Sequence, residues 1–319
     1  MPLPTGDVIG ILADNLRLRG SVLPIGTRRA TRWARDLDLP HGGSTVLYTG
    51  QMYQLIPYIE GLVKVEEAVQ DTWLTRFAGL GRRVNRLIGI AGFMVHPRAA
   101  ERAEYDQVLV DVVSLLRAAG VEFGYLYKDD LYTGALVHDL GVNDVVLNHA
   151  RRVQAVLRAH GVRELITVDP HTTNMLRSVY PSILDDFDVK VRSYLEVLAE
   201  RKPTAHRDLA ATMTIHDSCV YARYEGVIDE PRALLRDAGV TVCEVENAGL
   251  LTWCCGGPVE SLYPSKATAV ATARVEQLRA AAPECVTMCP LCLVNLQKAA
   301  GDSLQLTDIS HHLRQAYAD

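Results

Sequence analysis

Five of the seven cysteines follow a spacing that could bind metal. Cys219 is followed by 34 residues, then by the adjacent pair Cys254 and Cys255, and Cys289 and Cys292 form a Cys-x-x-Cys turn farther along. Thiolates are soft ligands that suit iron–sulfur clusters or zinc. Zinc prefers four tetrahedral ligands, which adjacent side chains cannot easily supply, whereas two neighbouring thiolates can reach two irons of one cluster. The spacing therefore favours an iron–sulfur cluster, with structural zinc and disulfides as the alternatives.

Histidine and aspartate residues lie near the cysteine motif and in a similar segment earlier in the chain. His216 and Asp217 stand just before Cys219, where they could donate a proton, tune a metal site or only form a turn. His171 follows Asp169 closely, and the two could form a polar pocket. A surface position for His171 is the favoured interpretation.

The sequences on either side of a polar linker at residues 200–208 look like two copies of one unit. In each copy a predicted helix ends at a glycine and is followed by an apolar segment, a turn, a second helix and a β-like run. This order predicts an α/β fold of two pseudo-repeated lobes with largely parallel sheets. The matching segments are LLRAAG at 115–120 and LLRDAG at 234–239, the turns at 132–134 and 254–256, and the β-like runs at 165–168 and 285–288.

A segment of the first copy, at about residues 58–98, has no counterpart in the second. It mixes apolar with charged residues, which predicts a helical insertion rather than a floppy loop. The apolar run Leu87–Val95 follows several basic residues, so it could dock on a partner subunit or on an anionic membrane surface. It could equally pack on its own lobe.

The cysteine pattern resembles the cysteine-rich CCG domain family. That family includes the cysteine-rich subunit of heterodisulfide reductase and the iron–sulfur subunits of glycolate oxidase and lactate utilisation. The resemblance rests on three segments, 216–219, 254–258 and 288–292, and covers residues 212–308 strongly. It implies a non-cubane [4Fe-4S] cluster held by Cys219, Cys254, Cys255, Cys289 and Cys292.

The first copy departs from the family pattern at every ligand position. The resemblance therefore implies a single cluster, with residues 1–204 as a degenerate CCG-like lobe that carries the insertion and residues 205–319 as the intact CCG domain. The residues in place of ligands are Gly50 or Gln51 for the first cysteine, Tyr132 and Thr133 for the adjacent pair, and Asp169 and Thr172 for the Cys-x-x-Cys turn.

The expected function is electron transfer by an iron–sulfur subunit of a heterodisulfide-reductase-like oxidoreductase complex. Many fused relatives carry ferredoxin-type Cys-x-x-Cys-x-x-Cys motifs, and this sequence has none. Another redox subunit with ferredoxin-type clusters is therefore the expected partner. Two alternatives remain: a catalytic subunit that reduces a disulfide or a quinone at the cluster, and a scaffold subunit that binds zinc.

Composition limits the remaining possibilities. The chain of 319 residues is 48% hydrophobic and 22% charged with a net charge of −5, which gives no reason to expect nucleic acid. Its longest apolar run is about half of the ~18 residues that span a bilayer, and no signal peptide is expected. We predict a cytoplasmic protein, in which thiols stay reduced, or one bound peripherally to a complex at the inner face of the membrane. Cys243 and Cys285 are expected to be ordinary buried thiols.

Overall fold

The computed structural model describes residues 5–23, 25–69, 97–257 and 263–318, with the backbone alone from 62 to 69. Two four-stranded parallel sheets form its frame, one in each lobe. The strand order is β2-β1-β3-β4 in the first sheet and β6-β5-β7-β8 in the second, which is the same order twice. The predicted pair of pseudo-repeated α/β lobes is thus confirmed. The strands are β1 Thr45–Tyr48, β2 Gly124–Tyr125, β3 Glu164–Thr167, β4 Lys190–Ser193, β5 Thr212–His216, β6 Thr241–Val242, β7 Glu284–Thr287 and β8 Gln305–Asp308.

Helices cover both faces of these sheets, so the central strands are buried on both sides and read as apolar runs. Val46 and Leu47 of β1 and Val286 of β7 are fully buried for this reason. The helices are α1 Thr5–Arg19, α2 Thr27–Ala30, α3 Met52–Val69, α4 Ala99–Ala118, α5 Ala135–Asp139, α6 Asn143–Ala159, α7 Pro170–Asn174, α8 Tyr180–Ile183, α9 Tyr194–Arg201, α10 Asp229–Asp237, α11 Pro264–Ala281, α12 Pro290–Ala300 and α13 Ile309–Tyr317.

Glycines end corresponding helices in the two lobes. Gly120 after α4 and Gly239 after α10 have φ of 66° and 81°, the left-handed conformation that closes a helix without a Cβ clash. The β-like runs predicted at 165–168 and 285–288 are strands β3 and β7, displaced by one residue. Local sequence signals therefore located these elements almost to the residue.

The lobes pack through corresponding elements, as expected for a pseudo-two-fold interface. Helix α4 packs on α13 and α9 packs on α10, while α3 packs on α12 and α7 packs on the π-helical turn Tyr221–Glu225. Polar bonds cross this interface. Tyr53 donates a hydrogen bond of 2.6 Å to Asp308, and Arg177 contacts Glu225 at 2.7 Å. The two lobes are thereby held against each other.

The predicted insertion is only partly described. Its first residues, from 58, belong to helix α3, which begins earlier, at Met52, and ends at Val69. The run Leu87–Val95 lies outside the described residues. Among the described helices, none combines the length and the apolar character needed to cross a bilayer.

Candidate metal centre

All five predicted ligands meet at the carboxyl edge of the second sheet. Cys219 follows β5, Cys254 and Cys255 occupy a turn after the 3-10 segment Gly249–Leu251, and Cys289 caps helix α12 directly after β7. Cys254 contacts the thiols of both Cys219 and Cys255, and Cys292 contacts those of both Cys255 and Cys289. The carboxyl ends of adjacent parallel strands lie at one edge, so residues more than 70 positions apart can meet there. The result is a continuous group of five sulfurs.

This group is buried on one side and accessible on the other. Cys255, Cys289 and Cys292 are buried, whereas Cys219 and Cys254 are half-buried. Large apolar side chains are exposed beside the accessible side: Leu251 is 68% and Trp253 47% exposed. The buried thiols are shielded from water, and the accessible pair marks the side from which a reaction partner could approach.

Contacts among the thiols lower the pKa of two of them and raise the pKa of the other three. Hydrogen bonds from Cys219 and Cys255 lower the pKa of Cys254 well below its ordinary value. Burial alone would raise the pKa of Cys289, but bonds from Cys292 and from a histidine described below lower it strongly. The same contacts raise the pKa of Cys219, Cys255 and Cys292, since these thiols act as the donors. Two thiolates in a compact group of sulfurs form a donor set that suits a soft metal centre.

A glycine turn shapes the backbone around the adjacent pair. Gly256 has φ of 81°, and a Cβ there would lie 2.6 Å from the carbonyl oxygen of Ala267. Its N–H donates to the Cys254 sulfur at 3.3 Å. Only glycine allows this turn, which points both thiols toward the group and gives one of them a backbone hydrogen bond.

His216, at the end of β5, presents an N–H to the sulfurs. A ring nitrogen of His216 and the sulfurs of Cys255 and Cys292 lie within 4.8 Å of one another. The fully buried Arg274 donates to Nδ1 of His216 at 3.1 Å, so the ring proton is on Nε2, which has no other partner among the described residues. Burial and then the charge of Arg274 lower the pKa of His216 to about 3, and the ring is neutral. Of the roles left open for His216, the structure favours tuning the site.

A buried ion pair fixes the loop between β5 and the adjacent cysteines. Arg232 contacts both oxygens of Asp217, at 2.8 and 2.9 Å, and also reaches Glu244. Asp217 accepts the backbone N–H of Gly249 at 2.7 Å. Neither Arg232 nor Arg274 was among the site residues predicted from the sequence. A signal for Arg274 did exist, because it lies on the apolar face that α11 buries through Ala271 and Leu278.

His171 is buried between the lobes, so the surface position favoured from the sequence is wrong. It lies on α7 of the first lobe and faces the Cys289 sulfur of the second, and Nδ1 lies 3.8 Å from an Asp139 oxygen. Burial alone would lower the pKa of His171, but Cys289, Asp139 and Asp169 together raise it to about 9. The lobe without cysteines therefore contributes a charged donor to the sulfur group.

In the first lobe the corresponding edge is filled by oxygen-bearing side chains. Tyr48 pairs with Thr167 in the first sheet as His216 pairs with Thr287 in the second, so Tyr48 corresponds to His216. Three residues later along each chain segment, Gln51 therefore corresponds to Cys219. Gln51 turns away and donates to the carbonyl oxygen of Asp130 at 2.6 Å. The remaining aligned residues are Tyr132 and Thr133 for the adjacent pair, and Asp169 and Thr172 for Cys289 and Cys292.

The last two cysteines lie outside the sulfur group. Cys285 is buried within β7 and its thiol contacts the carbonyl oxygen of Val286 at 3.6 Å. Cys243, after β6, is only half-buried. The expectation of an ordinary buried thiol is confirmed for Cys285, while Cys243 is more exposed than expected.

Residues 213–297 match the cysteine-rich CCG domain family, which confirms the predicted resemblance. The EtfAB:quinone oxidoreductase of Syntrophomonas wolfei is 30% identical over 231 residues, 66% of this chain and 32% of that protein. The probable iron–sulfur-binding oxidoreductase FadF of Bacillus subtilis is 30% identical over 224 residues, with the same two shares. One subunit of the dihydromethanophenazine:CoB–CoM heterodisulfide reductase of Methanosarcina acetivorans is 29% identical over 203 residues, 60% of this chain and 49% of that polypeptide. The chain spans about a third of the length of the first two relatives.

Proposed function

We propose, on the premise that residues 213–297 are a CCG cysteine-rich domain, that this protein is an iron–sulfur redox subunit. It holds one [4Fe-4S] cluster on Cys219, Cys254, Cys255, Cys289 and Cys292. The observation that carries the proposal is the contact of these five thiols at one sheet edge. Five soft donors with an adjacent pair exceed what a tetrahedral zinc needs and fit a non-cubane cluster. When bound, such a cluster accepts and donates electrons at a potential set by its surroundings.

The residues around the sulfurs have separate roles in this proposal. His216, kept neutral and oriented by Arg274, holds an N–H, unpaired among the described residues, close to the sulfur group, where a bound cluster could accept it. His171 supplies a positive charge beside Cys289 from the other lobe. Both groups favour negative charge at the sulfurs, and the buried side excludes water. The first lobe therefore serves as a cover and a source of charge for the cluster rather than as a second cluster site.

We assign the protein an electron relay within an oxidoreductase complex, with another redox subunit that carries ferredoxin-type clusters as its partner. The similarity to proteins named as an EtfAB:quinone oxidoreductase and as a probable iron–sulfur-binding oxidoreductase supports this role. Seven free cysteines suit the reducing cytoplasm, the compartment that we propose.

Metal analysis of anaerobically prepared full-length protein tests the cluster. We expect a brown protein with about four irons and as many sulfides per chain. Mössbauer and EPR spectra of the oxidised and reduced protein should then distinguish a non-cubane from a cubane cluster. Negligible iron, together with a zinc ion that is lost in Cys255→Ser and therefore bound by the thiols, would refute the proposal and leave a zinc scaffold.

A catalytic role is the second candidate, favoured by the accessible side at Cys219 and Cys254 and by relatives named for quinone and heterodisulfide reduction. The loaded protein alone, given a reductant and either a small disulfide or a soluble quinone, distinguishes the two. Turnover without a partner would identify a reductase. Cluster reduction without turnover would support a relay.

A further inference from the structure

The first lobe carries a second group of side chains of the types that bind metals, and no cysteine belongs to it. His41, Asp129 and His160 each offer a ligand atom, and these atoms all lie within 4.8 Å of one another. His41 lies on a short extension that pairs with Tyr125 on the outer side of β2, Asp129 ends the 3-10 segment Tyr127–Asp129, and His160 caps the end of α6. We propose that these three side chains bind a divalent cation of the zinc type.

The distances fit one ion shared by the three groups. His160 Nε2 lies 3.0 Å from Asp129 Oδ2, and the rings of His41 and His160 have centroids 5.2 Å apart with planes at 82°. Ligand atoms bound tetrahedrally to zinc at its usual bond length are roughly 3.3 Å apart, and the centroids of two such imidazoles are about 5 Å apart. The three groups therefore need only small side-chain movements to reach a shared ion.

The backbone holds the His41 side of the site in place. Gly42 N–H donates to Tyr125 O at 3.0 Å, and Tyr125 N–H donates to Pro40 O at 2.8 Å, so His41 is fixed from both sides. A Cβ at Gly124 would lie 1.8 Å from Gly42 O, which means that only glycine lets this extension approach β2. A ligand on a fixed backbone loses little conformational entropy on binding.

The donor set selects the class of ion. Two imidazoles and one carboxylate suit zinc, cobalt, nickel or copper(II), whereas magnesium and calcium prefer oxygen ligands alone. His41 is exposed, and the Asp129 and His160 side chains are 29% and 22% exposed. A fourth position would face solvent, where water or an external ligand completes the coordination.

The site is tested by comparing the zinc bound per chain in full-length wild type and variants. Any zinc bound by the thiols is the same in all of these proteins and cancels in the comparison. His41→Gln and Asp129→Asn remove one ligand each, and His206→Gln, at another exposed histidine, is the matched control. In equilibrium dialysis, wild type and H206Q should bind one zinc more per chain than H41Q and D129N. The affinity for that ion should fall by more than about 100-fold, since losing an outer-shell partner alone costs about 10–100-fold.

Thermal unfolding gives an independent readout. Zinc should raise the Tm of wild type and H206Q further than that of H41Q, because the ion joins three separate segments of the lobe. His41 is exposed, so H41Q should match the wild-type Tm without zinc. Equal zinc stoichiometry and an equal Tm increase in wild type and H41Q would overturn the proposal.

Discussion

The carboxyl edges of the two sheets share one backbone and differ in their chemistry. Gly134 and Gly256 turn the chain at corresponding positions with φ of 89° and 81°. Asp169 and Cys289 each cap the helix that follows a central strand. One edge presents thiols and the other presents hydroxyl, amide and carboxylate groups. The comparison shows that the lobe architecture does not depend on the metal ligands, so a site could be lost while its frame remained.

A threonine and an aspartate beside each site occupy swapped positions in the two lobes. Thr49, after β1, corresponds to Asp217, after β5, and Asp130 corresponds to Thr252. The Thr49 hydroxyl donates to the Asp130 carboxylate, whereas the Thr252 hydroxyl donates to the backbone carbonyl oxygen of Asp217. Asp217 also has Arg232 as a partner, but among the described residues the donors to the Asp130 carboxylate are all neutral. Arg232 thus balances the buried charge of Asp217, whereas burial beside these neutral donors raises the pKa of Asp130.

The largest effect should follow from removing a buried thiol. Cys255→Ser should reduce the iron content from about four to less than about one per chain, because a hydroxyl is a poor ligand for iron in a cluster. Two matched variants should retain full iron: Cys285→Ser, at a buried cysteine outside the group, and Thr133→Ser, at the aligned position of the first lobe. Iron analysis and the visible spectrum check this. Full iron in C255S would remove Cys255 from the ligand set.

The two buried aspartates should respond oppositely to neutralisation. Burial raises the pKa of Asp130 to about 7 from 3.8. Between these values the folded Asp130 binds more protons than the unfolded one, so its contribution to stability should fall as pH rises, by up to about 4 kcal/mol, and stay level above pH 7. Asp130→Asn should lack this decline and be at least as stable as wild type at pH 8.

Asp217→Asn should instead destabilise the chain by about 3 kcal/mol at the same pH, since it leaves part of the Arg232 charge unbalanced. Urea unfolding of wild type, D130N and D217N from pH 4.5 to 8 measures both effects. A parallel pH dependence of wild type and D130N would show that Asp130 does not titrate as inferred.

The two turn glycines should differ in how much space they require. A Cβ at Gly256 would meet the backbone oxygen of Ala267 at 2.6 Å, while one at Gly134 would meet only side-chain atoms, the nearest on Leu16 at 3.3 Å. Both alanine variants carry the left-handed strain of about 1–2 kcal/mol. Gly256→Ala should cost about 2 kcal/mol more, from the backbone overlap, and should also lower the iron content. Equal destabilisation in chemical unfolding would argue against this difference.

The smallest effect should be a change in potential at His216. His216→Asn keeps an acceptor for Arg274 but removes the N–H that faces the sulfurs, while His216→Gln keeps a donor near that place. Losing about 1 kcal/mol of hydrogen bonding to the reduced cluster corresponds to roughly 40 mV for one electron. We expect a lower potential in H216N, with a value near wild type in H216Q and in Tyr48→Phe, at the aligned position. Redox titration of proteins with equal cluster content measures the potential. An unchanged potential in H216N would show that His216 does not tune the cluster.

Much of the fold could be predicted from local signals. Glycine stops at Gly120 and Gly239 and the apolar runs at β3 and β7 are properties of short segments, so they indicated the repeated lobes correctly. The start of α3 was missed because the predicted insertion was delimited by comparison with the other copy, not by a helix signal. The burial of His171 was missed because it depends on the packing of one lobe against the other.

The sequence by itself determined which lobe has the group of thiols, because that depends only on residue identity and no cysteine precedes Cys219. The tertiary structure decided what surrounds the sulfurs. Arg274 and His216 are 58 positions apart; burial and then the charge of Arg274 make the histidine neutral, and the bond from Arg274 fixes its proton. Burial and long-range contacts set the charges of such groups, and neither can be obtained from spacing along the chain.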